Sequence, residues 1–205
     1  MNDKSTQLTA IAALLLAFLF PVYWLREFWQ IAEQGGEAIY RNASTLSWSD
    51  GLFLFNGFLS VFVYLGFKRF LNDRFAFNHV DIPLILLAVV TGVFTFGTLA
   101  MDAVLHFYGD QLFLSWHLNS VNGIAITLII SLVFFGVLDL VLGIMLLIQA
   151  RTLGGGILAF AIITVIQGVV ELSIVFAYST VAVYPVALIV LAITLLRRPQ
   201  ELEVV

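Results

Sequence analysis

The chain has no cysteine and only three histidines among its 205 residues. That excludes disulfides, thiolate metal sites, iron–sulfur clusters and cysteine nucleophiles. Charge is also scarce. Nine Lys and Arg and 13 Asp and Glu make 11% of the chain, against roughly 25% in soluble domains. The net charge is −4 and no basic run exceeds two adjacent residues, so a nucleic-acid partner is not expected. HExxH, GxSxG and a Walker-type loop are all missing, and Gly154-Gly155-Gly156 lacks the Lys and Ser or Thr that would follow in a phosphate loop. No cofactor is expected. A cleavable leader is not expected either. Lys4 and the apolar run 8–20 resemble one, but Pro21-Val22-Tyr23-Trp24 puts bulky rings where small residues should precede cleavage.

What is abundant is apolar surface. Hydrophobic residues make 61% of the chain and the mean hydropathy is +1.06. A soluble fold of this length could not bury so much, whereas lipid accepts it. Six apolar runs follow one another, at about 8–29, 51–70, 82–105, 121–148, 155–176 and 181–196. Each is near the length of about 20 residues that a membrane-spanning helix needs. The expected fold class is therefore an all-α integral membrane protein, a bundle of six transmembrane helices forming a single polytopic domain over 1–205. Pro21 is expected to kink span 1. Asp81 is expected to cap span 3, with Pro83 in its first turn. Tyr178-Ser179-Thr180 is the only turn signal between spans 5 and 6, so one long final helix is the alternative.

The basic residues set an orientation. With a cytoplasmic N-terminus, Lys4, Lys68, Arg69, Arg74, Arg151, Arg197 and Arg198 lie inside and only Arg26 and Arg41 outside. This asymmetry fits the positive-inside rule and an even number of spans, with both termini cytoplasmic. Trp24, Trp29, Trp48 and Trp116 then all fall at the outer interface, as an aromatic belt would. Two outer connections, 30–50 and 102–120, have some length. The second is expected to lie at the interface, with Phe107, Tyr108, Phe113 and Trp116 towards lipid. Asn42-Ala43-Ser44 matches a glycosylation acceptor, which matters only in a eukaryotic secretory setting.

A faint internal repeat is visible. Phe55-Asn56-Gly57-Phe58-Leu59-Ser60 resembles Phe134-Phe135-Gly136-Val137-Leu138-Asp139, and residues 84–91 resemble 157–164. Both hairpins would begin outside, which makes spans 2–3 and 4–5 a parallel repeat of the kind some transporters use.

Ionisable groups within the spans are the strongest functional pointers, because each costs about 2.5 kcal/mol or more in lipid. Asp139 and Glu171 are such groups. Asp139 and Gln167 are equally distant from the turn at Gly154, and Glu171 stands one helical turn beyond Gln167. The three are expected to share a polar pocket. Two carboxylates there repel if both ionise, so at least one is expected to hold a proton at neutral pH. Hydrogen-bonded glue between helices is the bland reading of the same residues. Asn56, Ser60 and Tyr64 form a polar stripe on span 2; Thr127, Ser131 and Asp139 do so on span 4, and Thr164, Gln167 and Glu171 on span 5. Such stripes line hydrated paths or serve as packing seams.

A second constellation is Asp102, His106 and Asp110 at helical spacing, followed by His117. Adjacent members could share a metal ion, although His106 and His117 would be about 16 Å apart on one helix. An interfacial segment with its acids in water is the simpler reading.

The leading functional reading is a small inner-membrane transporter, or a subunit carrying substrate or protons, with its pocket among spans 2, 4 and 5. A non-catalytic membrane subunit or assembly factor is the first alternative. A membrane enzyme or metal-binding protein using the Asp and His cluster is the second. The expected partners are the lipid bilayer, further copies of the chain or other membrane subunits.

Overall fold

The computed structural model describes residues 3–35, 41–42, 44–173 and 175–197, and the side chains of all of these except 3, 109–125, 150 and 151. Every regular element among the described residues is helical. They are α1 (Asp3–Gln34), α2 (Trp48–Phe75), α3 (Asp81–Ile148), the short α4 (Ala150–Leu153), α5 (Gly155–Leu172) and α6 (Thr180–Leu196), with a 3-10 turn at Ala177–Ser179 before α6. Six stretches are long and apolar enough to cross a membrane: Lys4–Gln34, Trp48–Phe75, Asp81–Tyr108, Ile126–Ile148, Gly155–Leu172 and Ala177–Leu196. They are called spans 1 to 6 below. A long final helix in place of spans 5 and 6 is ruled out, because α5 ends at Leu172 and the chain turns before α6.

Helix α3 contains spans 3 and 4, yet it is not a straight rod. The rings of Phe94 and Phe135, both on α3, lie 6.1 Å apart between centroids. A straight helix rising about 1.5 Å per residue would separate those positions by roughly 60 Å. The helical backbone therefore doubles back between Tyr108 and Ile126, and spans 3 and 4 form a hairpin. This corrects the expectation of a loop over 102–120: the backbone there is helical. Phe107 and Tyr108 are exposed, while Phe113 and Trp116 lie outside the described side chains.

Each span packs on its neighbours in sequence, and α1 packs on α6, so the six spans close into a ring. One end of the ring holds most of the basic residues. There Lys68 Nζ lies 3.1 Å from Asp81 Oδ2, Arg74 donates to the Arg197 carbonyl at 3.3 Å, and Gly66 abuts Thr9 of α1. The described parts of both termini thus lie at this basic end. Asp81 does not cap α3. Val80 holds the cap position without a side-chain bond, and the Asp81 carboxylate instead accepts from Asn72 Nδ2 at 3.2 Å beside Lys68. Holding a cation across the α2–α3 turn replaces the local cap.

The opposite end is aromatic and acidic. Ser47 caps α2 and forms a reciprocal capping box with Asp50, satisfying two backbone donors at the start of the helix. Arg26 sits over the Trp48 ring at 4.9 Å and pairs with Glu27 at 2.9 Å. Helix α1 runs unbroken through Pro21.

Outer faces of the ring are apolar: Ile11, Phe18, Ile82, Val93, Phe96 and Ile148 are all exposed. Six exposed apolar helices fit a multi-pass membrane protein. Glycine lets the helices approach where they cross. A Cβ on Gly168 would lie 2.7 Å from the Gly136 carbonyl oxygen and 2.8 Å from the Leu140 nitrogen, and one on Gly143 would lie 2.9 Å from the Val165 nitrogen. Spans 4 and 5 are therefore in backbone contact, as small residues allow between membrane helices. Gly57 makes a close approach to the Thr95 side chain between spans 2 and 3. The register of the internal repeat pairs Gly57 with Gly136 and, continued along the second segment, Thr95 with Gly168. Both hairpins thus cross at corresponding positions.

Candidate functional site

The hairpin geometry brings the span 4 and span 5 acids together. Spans 4 and 5 leave a short connection at the basic end, in which Gly154 has a φ of +89°. Equal climbs from that turn set Asp139 and Gln167 at one depth, and backbone contact at Gly136, Gly143 and Gly168 brings the helix faces within side-chain reach. Gln167 Nε2 donates to Asp139 Oδ2 at 2.8 Å and to Glu171 Oε1 at 3.2 Å. Both carboxyl groups therefore hang on the same amide nitrogen. Asp139 and Glu171 are each 4% exposed, and among the described residues no basic group reaches either one. Glu171 Oε2 has no hydrogen-bond partner among the described residues.

This triad forms one wall of a cavity of about 400 Å³ on the ring axis, lined by residues of all six spans. Asn56 of span 2 lines the same cavity and is 6% exposed, and neither its amide nitrogen nor its amide oxygen has a partner among the described residues. A buried polar atom left unpaired costs about 1–3 kcal/mol, so such groups mark places where something else can bind. Ser60 donates to the Asn56 carbonyl at 2.9 Å. Its oxygen also stands 3.4 Å from the Tyr184 hydroxyl, which is itself 3.4 Å from the Tyr64 hydroxyl. Both separations exceed the usual O–H···O range of 2.5–3.0 Å, so the two phenol hydroxyls are loosely held. Thr180 Oγ1, also on the cavity wall, has no partner among the described residues.

Towards the basic end the cavity is sealed. Phe67 and Phe160 meet edge to face at 5.1 Å, and Leu84, Leu87, Leu188 and Leu191 are almost fully buried around them. Towards the aromatic end it meets a second cavity of about 570 Å³, and the two share the side chains of Tyr23, Trp24, Phe53 and Phe94 as a partition. Glu27, Asp50 and Asp102 line the second cavity. Asn42 Nδ2 donates to Glu27 Oε2. Between spans 3 and 4 this cavity is walled by Val89, Val93, Ile130 and Phe134, which are also exposed on the outer face of the ring. It therefore opens sideways as a cleft between the two spans.

Of the residues singled out in the sequence, Asp139, Gln167, Glu171, Asn56, Ser60 and Tyr64 line one cavity together. Thr164 is bound to the carbonyl of Phe160 in its own helix at 2.9 Å and serves packing. Asp102 lines the second cavity, while His106 Nδ1 lies 3.0 Å from the Ser44 carbonyl oxygen. Asp110 and His117 lie outside the described side chains. Among the described residues no three His, Asp or Glu groups are placed to hold a metal ion. Sequence reasoning missed Glu27, Trp24, Thr180 and Tyr184. Glu27 carried a legible signal, an acid inside the first apolar run. Tyr184 had only a weak one, a polar tip beside Pro185 in a charge-free span.

Compared with protein-family models, with curated proteins and with solved structures, the chain gives no match.

Proposed function

We propose that this protein is a small proton-linked carrier, or the substrate- and proton-carrying subunit of one, in a bacterial inner membrane with both termini cytoplasmic. The observation that carries this reading is the pairing of Asp139 and Glu171 on one amide, on the wall of a cavity that also holds an unpartnered Asn56. Helix glue would leave its polar groups mutually satisfied in a dry seam. Here a carboxyl oxygen, a whole amide and a hydroxyl have no partner among the described residues, and the space beside them could hold a small molecule.

Proton linkage follows from elementary electrostatics. Two carboxylates joined through one amide, away from water and from any cation, cannot both stay ionised without a large Coulomb penalty. One proton held between them lowers that penalty, and a bound cation would do the same. The asymmetry of the cavity, sealed at the basic end and adjoining a second cavity at the aromatic end, supports alternating access with the site facing the outer side. The excess of Lys and Arg at the sealed end supports placing that end in the cytoplasm.

The test uses sealed, energised membrane vesicles carrying a dye that reports the pH gradient. Small ammonium, carboxylate and neutral solutes are added in turn. A solute that collapses the gradient with the natural chain, but not with the Asp139→Asn, Glu171→Gln double variant, supports the reading. If no solute of the three classes moves protons differently in the two preparations, the helix-glue alternative stands instead.

A further inference from the structure

The chemistry of the cavity walls narrows the substrate. Anions are disfavoured throughout. Neither cavity is lined by a Lys, Arg or His among the described residues, and Arg26 is turned to Glu27 and to the Trp48 ring. Carboxyl groups stand at both levels of the path: Glu27, Asp50 and Asp102 in the cavity at the aromatic end, Asp139 and Glu171 in the inner one. An anion moving along this path would meet like charge twice and no counter-ion. A cation would meet a carboxylate at each stage.

The partition between the levels has its own preference. Tyr23 and Trp24 stand edge to face at 5.3 Å, Tyr23 lies 5.3 Å from Phe53, and Phe53 stands edge to face with Phe94 at 5.7 Å. Four rings in contact offer faces that attract cations and surface that buries an apolar body. A bare metal ion gains little from such a wall, because hard cations require oxygen ligands on several sides. An organic cation gains from both. The cleft between spans 3 and 4 is walled by aliphatic and aromatic side chains that face the surrounding lipid, which suits a solute that partitions into a bilayer.

At the inner end the polar atoms without partners are of a suitable kind. Among the described residues Glu171 Oε2 and Asn56 Oδ1 are buried acceptors that receive no hydrogen bond, and the Tyr64 and Tyr184 hydroxyls are held only by long contacts. Acceptors converging with a carboxylate are what an ammonium group with several N–H donors satisfies.

We propose that the inner cavity binds a small organic ammonium ion with an aromatic or aliphatic body, its N–H groups held by Glu171, Asp139 and Asn56 and its body against Trp24, Phe53 and Phe94. This specifies the substrate class of the carrier proposed above and rests on that reading for the exchange step alone. In that step no covalent bond to the ligand changes. The O–H bond of one carboxyl breaks, its proton leaves to water, and the ammonium takes its place as the counter-charge. The other titratable side chains lining that cavity are the Tyr23, Tyr64, Tyr178 and Tyr184 phenols, with no Lys, Arg or His there among the described residues.

The experiment uses the full chain in lipid nanodiscs with three probes of one shape: phenethylammonium, phenylethanol and phenylpropanoate. Binding is followed by calorimetry and by tryptophan fluorescence, with a pH indicator in the same sample. The expected result is that phenethylammonium binds at least tenfold more tightly than either other probe. Glu171→Gln and Asn56→Leu should each weaken it by tenfold or more while melting at or above the natural temperature. Equal or tighter binding of the alcohol or the carboxylate overturns the proposal. So does the absence of phenethylammonium binding, or binding unchanged by both substitutions. If Glu171→Gln fails to fold, Asn56→Leu decides alone. The proton readout separates the two readings. Ammonium binding without proton release keeps this assignment and overturns proton linkage. Proton release driven by a solute of another class does the reverse.

Discussion

A single methyl group at Gly168 should disturb both the packing of the ring and its polar site. The Cβ of Gly168→Ala would lie 2.7 Å from the Gly136 carbonyl oxygen and 2.8 Å from the Leu140 nitrogen, and both are backbone atoms. Real Cβ contacts keep well outside those distances, and backbone cannot rotate away as a side-chain tip can. Spans 4 and 5 must therefore part by several tenths of an ångström. Overpacking of this kind costs about 1–3 kcal/mol, partly offset by the gain of about 1 kcal/mol when Ala replaces Gly in a helix. The net expectation is a loss of up to about 2 kcal/mol. Gly92→Ala is the control, since nothing lies within 4 Å of the Cβ there, and it should be neutral or stabilise by up to about 1 kcal/mol. Thermal unfolding in detergent, followed by tryptophan fluorescence, should lower the midpoint by a few degrees for Gly168→Ala alone. Gln167 is the neighbour of Gly168, so the 2.8 Å bond to Asp139 should lengthen with the same change. Equal midpoints for the two variants, or a higher one for Gly168→Ala, would refute the backbone contact between spans 4 and 5.

Other outcomes follow from the same geometry. Asn56→Leu removes a buried amide with no partner and should raise stability by about 1 kcal/mol or leave it unchanged, measured by the same unfolding assay; a large loss would mean that the amide is paired. Lys68→Met breaks a partly exposed ion pair with Asp81 at 3.1 Å, its side chains 24% and 26% exposed, and should cost less than about 1 kcal/mol, with a destabilisation of several degrees counting against that figure. The chain lacks cysteine, so single cysteines at Lys4, Thr45 and Arg197 can be labelled without background in intact cells. Only the Thr45 position should react with an impermeant reagent, and labelling at either of the others would overturn the orientation.

Much of the fold was legible because lipid imposes a simple length rule on apolar runs, and the six spans emerged near their sequence bounds. The carboxyl site was legible for a related reason. A short turn at Gly154 and a constant rise per residue fix the depths of Asp139 and Gln167 without any knowledge of the rest of the chain. What did not emerge was anything depending on how the ring closes. Tyr184 meets Tyr64 only because α1 packs on α6 and draws span 6 towards span 2, and apolar faces carry no mark of which neighbour they meet. The Asp81 cap failed because Lys68 and Asn72, brought near by the α2–α3 turn, compete for its carboxylate. The segment 102–120 suggested a loop because polar residues and Gly109 interrupt the apolar pattern, yet the backbone there is helical.

The central claim is that Asp139 and Glu171 form one exchangeable proton site inside the bundle. Infrared difference spectroscopy on the protein in nanodiscs measures it directly, because a protonated carboxyl has its own C=O stretching band. The account predicts a protonated-carboxyl band that shifts in heavy water and changes in both intensity and position when either Asp139→Asn or Glu171→Gln is introduced. Two independent bands, each removed by one substitution and untouched by the other, would contradict a shared site.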